Sequence, residues 1–275
     1  MRREDLDLAV EWAAAEGWNP GRGDANAFYA ADPDGFLMGF LEDEPVACIS
    51  AVTYGSSFGF IGFYIVAPEH RGKGYGLQIW NAAMDRLRKR TIGLDGVVEQ
   101  KKNYQKSGFE FCYRNIRYQG TGGGEAPASD QVTALDSVPF ARLESYDQKF
   151  FPEPRSEFLR SWIQQDGVIA RALVDEDCLK GYAVMRPCRT GYKVGPLFAE
   201  TPQGAETLLL TLRATLVSDQ ALFLDVPEVN THAVTMAERH QMSVVFETAR
   251  MYRGPAPDSD KNLPKIFGVT SFELG

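Results

Sequence analysis

Histidine and cysteine are scarce, three and four in 275 residues. Cys48, Cys112, Cys178 and Cys188 form no Cys-x-x-Cys pair, and His70, His232 and His240 stand apart. No zinc or other metal site is expected. The cysteines read as packed or inert thiols of a reducing, cytoplasmic compartment. No apolar run approaches the ~18 residues that span a bilayer. Charged Met1-Arg2-Arg3-Glu4-Asp5 is followed by no uninterrupted apolar stretch, so neither a membrane partner nor a secretory signal is expected. Cationic excess is missing as well: the formal net charge is −8. The one basic cluster, Arg86 to Arg90, closes an expected helix, where cations suit the dipole. Nucleic acid is therefore not an expected partner.

What is present is an ordinary globular balance, 44% hydrophobic and 24% charged. A single core rarely grows much beyond ~250 residues, so the length points to two domains. The run Gly120-Thr121-Gly122-Gly123-Gly124-Glu125-Ala126-Pro127-Ala128-Ser129-Asp130 is too costly in entropy for a packed element and reads as a linker. The expected domains are 1–120 and 131–275, with 121–130 joining them.

Periodicity predicts helices over 5–16, 76–88 and 101–107 in the first half, and strands over 36–41, 46–54, 58–67, 92–98 and 111–118. The second half repeats the order. Helices are expected over 140–146, 156–165 (Ser156 as N-cap), 204–217 and 231–239. Strands are expected over 168–174, 179–186, 193–198, 221–226, 244–252 and 266–272. Asp34-Gly35 and Asp166-Gly167 both open a strand, 132 residues apart, and Tyr118 and Tyr252 both close one, 134 apart. So steady an offset suggests a duplication, and the fold class reads as α+β, two tandem domains of twisted, mostly antiparallel sheet flanked by helices.

The chemistry-bearing segment is Val66-Ala67-Pro68-Glu69-His70-Arg71-Gly72-Lys73-Gly74-Tyr75-Gly76, in which a strand runs through a glycine-rich turn into an amphipathic helix. Glycines let backbone N–H groups approach an anion, the helix N-terminus adds partial positive charge, and Arg71 and Lys73 add full charges. The pattern suits a pyrophosphate. Its spacing is neither that of a nucleoside-triphosphate loop nor that of a dinucleotide fold.

Arg71-x-x-Gly74-x-Gly76, after Val66-Ala67-Pro68-Glu69, resembles the coenzyme-A loop of the GCN5-related N-acetyltransferases (GNAT). Asn103-Tyr104-Gln105-Lys106-Ser107-Gly108-Phe109 resembles that family's Tyr-x-x-x-Gly-Phe segment. The resemblance implies an acetyl-CoA-dependent N-acetyltransferase acting on a small amine. Val66, Arg71, Gly72, Lys73, Gly74, Tyr75, Gly76 and Asn103 would contact the co-substrate, and Tyr104 would protonate the leaving thiolate. Val97 stands where the family more often has asparagine, about seven residues before the tyrosine. A backbone N–H near Val66, where the family's strand bulges, would meet the oxyanion. The second half resembles the degenerate accessory domain of a tandem subgroup.

Several assignments stay open. Glu99 is either a base or a helix-start carboxylate. Trp18 and Asp24, in the loop that borders the family's acceptor site, are candidate acceptor contacts. Arg186 and Lys193 face either the cleft or solvent. A non-catalytic acyl-CoA-binding protein is the alternative function. Adding 132 carries Arg71, Gly72, Lys73, Gly74 and Gly76 to Gln203, Gly204, Ala205, Glu206 and Leu208, so the second half is expected to lack the cofactor site.

Overall fold

The apolar positions of 75–87 recur at helical spacing, with Ile79, Trp80, Ala83 and Leu87 buried, so this helix must lie on a sheet. The structure, a computed structural model, describes residues 1–275. Its first half runs α1 (Arg3–Ala15), α2 (Asp24–Ala31), β1 (Phe36–Leu41), β2 (Glu44–Tyr54), β3 (Phe58–Val66), α3 (Tyr75–Leu87), β4 (Thr91–Val97), α4 (Lys101–Lys106) and β5 (Glu110–Thr121). The second half runs β6 (Val132–Ala134), α5 (Phe140–Asp147), α6 (Ser156–Ile163), β7 (Ile169–Asp175), β8 (Cys178–Pro187), β9 (Tyr192–Ala199), α7 (Pro202–Arg213), β10 (Ala221–Pro227), α8 (Thr231–Arg239), β11 (Ser243–Arg253) and β12 (Ile266–Gly268). The architecture is mixed α/β, as expected. β2 shows why its strand is a near-continuous apolar run: Cys48, Val52 and Tyr54 enter one core and Ala47, Ile49 and Ala51 another, so both faces are covered.

All twelve strands form one sheet in the order β1-β2-β3-β4-β11-β5-β10-β9-β8-β7-β6, with β12 added to β9. Only β3–β4 and β9–β10 pair in parallel. The order reveals an exchange. β11, from the second half, lies between β4 and β5 of the first, while β5 lies between β11 and β10 of the second. The largest core is likewise shared: Leu6, Phe28 and Phe63 join Trp162, Tyr182 and Phe198 in one cluster of 34 buried residues. Phe28 stacks on Trp162 at 5.9 Å between centroids.

Four expectations change. β5 continues through Gly120 to Thr121, because Gly120 pairs with Leu222 of β10. Ser156 is the first helical residue and not a cap. Its hydroxyl bonds Glu144, and Arg155 holds the N-cap position. Strand β12 is three residues long, and 269–272 leave the sheet as a buried segment. The uniform offset also fails where it mattered most. Eight residues, 67–74, join β3 to α3, but only Glu200 and Thr201 join β9 to α7. The glycine-rich loop is shortened away in the second half, not mutated in place.

Candidate active site

The cleft is opened by β3. Its parallel ladder with β4 runs from Phe58–Thr91 to Ile61–Leu94 and then stops, so the strands part. Against β2, Phe63 and Tyr64 both fall opposite Ile49, between the Ser50–Gly62 and Cys48–Ile65 pairs, which makes a β-bulge. Phe63 sits at φ +47°, a left-handed conformation costing about 1–3 kcal/mol for a non-glycine residue. Packing holds it there: its ring meets Phe28 edge-on at 5.6 Å. The bulge lies at Phe63–Tyr64, ahead of Val66, whose carbonyl accepts a bond from Arg71 Nε at 2.9 Å. The result is a cleft of about 500 Å³ between β3 and β4.

At its mouth, Gly72 and Gly74 adopt φ +76° and +86°, and a Cβ at either would enter open space. Gly74 caps α3 without a side-chain acceptor, so the first-turn amides of a thirteen-residue helix face the loop unblocked. A Cβ at Gly76 would come within 2.8 Å of the Tyr64 hydroxyl. This geometry fits a pyrophosphate held by backbone amides. Arg71 lines the cleft and pairs with Glu16. Lys73 is exposed and Tyr75 packs on His70, and neither lines the cleft. Glu44, Glu69 and His70 bring one possible metal-ligand atom each within 4.8 Å of one another.

Tyr104 reaches the cleft from α4, its ring tilted against Trp80 at 5.5 Å between centroids. It fits because residue 96 of β4 is glycine: a Cβ there would collide with the phenol ring. Burial, aided by nearby Tyr64, pushes the Tyr104 hydroxyl above its ordinary value of 10.0, so it stays protonated.

Other expected site residues fall elsewhere. Asn103 is exposed and bonds Gln100, and Glu99 is exposed, while Gln100 and Val97 line the cleft. Glu99 faces outward from the short turn Val98–Gln100 that precedes α4, whereas Tyr104, five residues on, is buried on the inner face of α4. Trp18 lines the cleft, but Asp24 does not: it is fully buried and paired with Arg186. Arg186 and Lys193 face neither solvent nor cleft. Both are buried, and Lys193 Nζ donates to the Asn19 carbonyl at 3.0 Å. Residues without any local sequence signal complete the wall: Phe246 and Thr248 from β11, and Phe272 and Glu273 beyond β12.

A splayed pair of parallel strands, a glycine-rich loop at a helix start and a buried tyrosine, all on one cleft, are the arrangement of the GNAT acyltransferases, a family that uses acyl-CoA. Residues 5–109 match the family described as Acetyltransferase (GNAT) family, and residues 143–268 the one described as Acetyltransferase (GNAT) domain. Over 272 residues the chain is 34% identical to the holothin acyltransferase of Pseudoalteromonas sp. (strain SANK 73390), covering 99% of this chain and 92% of that one. The chain belongs to the GNAT family and is an acyltransferase. A Pyrococcus horikoshii structure described as a candidate acetyltransferase superposes with a TM-score of 0.82 at 24% identity, over 100% of this chain and 94% of that one. A tandem GNAT protein from the clavulanic acid biosynthesis pathway aligns at TM-score 0.64 and 13% identity, over 93% and 98%. These two show the shared fold.

Proposed function

We propose that the protein transfers an acetyl group from acetyl-CoA to a primary amine of a small molecule by direct attack. The observation that carries this reading is one cleft holding the amide cradle, Tyr104 and a wall from the second half. The pyrophosphate lies on the amides of 72–76, with Arg71 beside it. The amine attacks the thioester carbonyl. Backbone N–H groups on the splayed edge of β3, between Phe63 and Val66, meet the oxyanion. The C–S bond breaks and Tyr104 protonates the thiolate, within the 10²–10⁴-fold range of general acids. Segment 1–120 supplies the co-substrate site and 131–275 the acceptor wall. The similarity to holothin acyltransferase supports acyl transfer and leaves the acyl chain and the acceptor to be measured.

The test is thiol release from acetyl-CoA, with propionyl- and hexanoyl-CoA alongside, against a panel of primary amines. Amine-dependent release with acetyl-CoA preferred supports the reading. Tight acetyl-CoA binding without turnover of any amine would leave only a binding protein.

A further inference from the structure

Three carboxylates line the cleft: Glu16, Asp95 and Glu273. Glu16 is paired with Arg71. Asp95 receives both arms of Arg250, at 2.8 and 2.6 Å, and the Asn115 amide at 2.8 Å. Glu273 is only 3% exposed, and its Oε2 has no hydrogen-bond partner. A buried carboxylate without a partner is expensive, and nothing in the fold requires it. On β11, in the wall of the same cleft, the buried Thr248 hydroxyl is also unpartnered. Unsatisfied polar groups in the wall of a cleft are groups waiting for a ligand.

The fold positions Glu273 with care. Segment 269–275 is buried throughout and threads between the halves. Tyr54 donates its hydroxyl to the Leu274 carbonyl at 3.2 Å, and the Leu274 amide donates to Ser271 Oγ at 3.1 Å. The Glu273 backbone carbonyl lies where a Cβ at Gly62 would sit, so the glycine beside the β3 bulge makes room for it. Glu273 is thereby brought beside the strand whose splayed edge borders the thioester site.

We propose that Glu273 is the catalytic base that removes the proton from the acceptor amine. This rests on the acyl-transfer reading above and extends it to a residue contributed by the second half. The amine nitrogen forms the C–N bond to the acyl carbon while the C–S bond breaks. The amine's proton passes to the Glu273 carboxylate, and Tyr104 gives its proton to sulfur. Exchange of one proton with solvent restores both groups.

The surroundings tune the base. Burial raises the Glu273 carboxyl above its ordinary 4.5, Lys193 opposes this most, Asp24 adds to it, and Arg117 and Arg186 oppose it. Arg117 and Arg186 are already paired with Asp225 and Asp24, so Lys193 is the cation left without a carboxylate of its own. His70 is the other lining group whose basic atoms lack a hydrogen-bond partner, its Nε2 standing 3.7 Å from Glu44 Oε1. It belongs to the turn Pro68–His70 and packs on Tyr75, on the co-substrate side.

The experiment is the pH profile of kcat/KM with acetyl-CoA and the best amine of the panel, plotted against free-base amine. Glu273→Gln is expected to lower kcat/KM by about 10²–10⁴-fold and to abolish the acid limb. Calorimetric affinity for acetyl-CoA should stay within about twofold. Its thermal midpoint at neutral pH should not fall, since a buried carboxyl without a hydrogen-bond partner is replaced by a neutral amide. Lys193→Met is expected to move the acid limb to higher pH. It decides the matter by itself if Glu273→Gln does not fold. An acid limb unchanged in Glu273→Gln, or unmoved in Lys193→Met, overturns the assignment, as does a limb lost only in His70→Gln. A wild-type protein that acetylates no amine overturns the acyl-transfer reading and this inference together.

Discussion

Asp24 and Arg186, 162 residues apart, form an ion pair with neither side chain exposed. Nε–Oδ1 is 2.7 Å and Nη2–Oδ2 is 3.2 Å. The guanidinium lies 4.2 Å over the Trp162 ring, and the carboxylate also accepts the Gly21 amide at 2.8 Å. The pair fastens the first half to the second. Removing one partner strands a buried charge, which costs about 3–5 kcal/mol. Asp24→Ala and Arg186→Met should each lower the urea midpoint by that measure. The double variant Asp24→Leu/Arg186→Met should recover most of the loss. Additive losses would show that the two side chains act separately.

The strand exchange makes a second claim. Without β11, the facing edges of β4 and β5 have no partner, and unpaired edges drive aggregation. Segment 1–125 expressed alone is expected to be insoluble or to lack acetyl-CoA binding, and co-expression with 126–275 should restore both properties. A soluble, monodisperse 1–125 that binds acetyl-CoA would show that the exchange is dispensable.

Tyr104 gives a third. Tyr104→Phe keeps the packing on Trp80 and removes the proposed acid, so kcat should fall by about 10²-fold with acetyl-CoA affinity unchanged. Gly96→Ala reaches the same tyrosine indirectly, by placing a methyl in its ring's position, and should lower kcat without deleting any functional group. Steady-state kinetics with calorimetry separate the two effects. Full kcat in Tyr104→Phe would reduce the residue to packing.

That the glycine-rich loop and Tyr104 belong to one cleft was readable because their patterns are local: alternating glycines, a cation and a helix start lie within eleven residues. The wall contributed by the second half was not. The aromatic and β-branched residues of 111–118 and 244–252 mark strands but do not say which strand lies beside which, so the exchange of β5 and β11 stayed hidden. Charge is read as exposure, and this misplaced Asp24, Arg186 and Lys193, each buried by a partner distant in sequence. Glu273 follows a short three-residue strand and carries no motif. Only the tertiary course of 269–275 brings it to Gly62.

High pH supplies a fourth test. Burial foremost raises the hydroxyls of Tyr54, Tyr104 and Tyr252 above 10.0. Above pH 10 the unfolded chain loses these protons while the folded one keeps them. Fewer protons are then bound by the unfolded state, and stability falls as pH rises toward the folded-state values. Each such tyrosine contributes a slope of about 1.4 kcal/mol per pH unit. Urea midpoints should be flat in this respect from pH 8 to 9 and fall steeply from 10 to 11. Phenolate absorbance of these three rings, read as the difference between the wild type and their phenylalanine variants, should appear together with unfolding. Phenolate appearing near pH 10 in the folded protein would show that these rings are accessible.

The last prediction is one acetyl-CoA per chain, bound at 72–76. The second half keeps a helix after its parallel strand, but the two-residue connection of Glu200 and Thr201 leaves no loop to wrap a pyrophosphate. The helix start is also occupied. Thr201 Oγ1 accepts the Gly204 amide at 3.1 Å, taking one of the free donors that an anion would need. Gly204 offers no space, since a Cβ there would meet Leu173 at 2.7 Å. Glu206, just beyond the first turn of α7 and held by Arg239 and His240, puts a carboxylate near the helix start, against any phosphate. In the first half, Gly74→Glu puts a like charge and a side chain into the only cradle. Its φ of +86° adds about 1–2 kcal/mol of backbone strain. Calorimetry is expected to give a stoichiometry near one for the wild type and an affinity at least tenfold weaker for Gly74→Glu. Thr201→Glu in the second half is expected to leave both values unchanged. A stoichiometry of two, or undiminished affinity in Gly74→Glu, would place the co-substrate elsewhere.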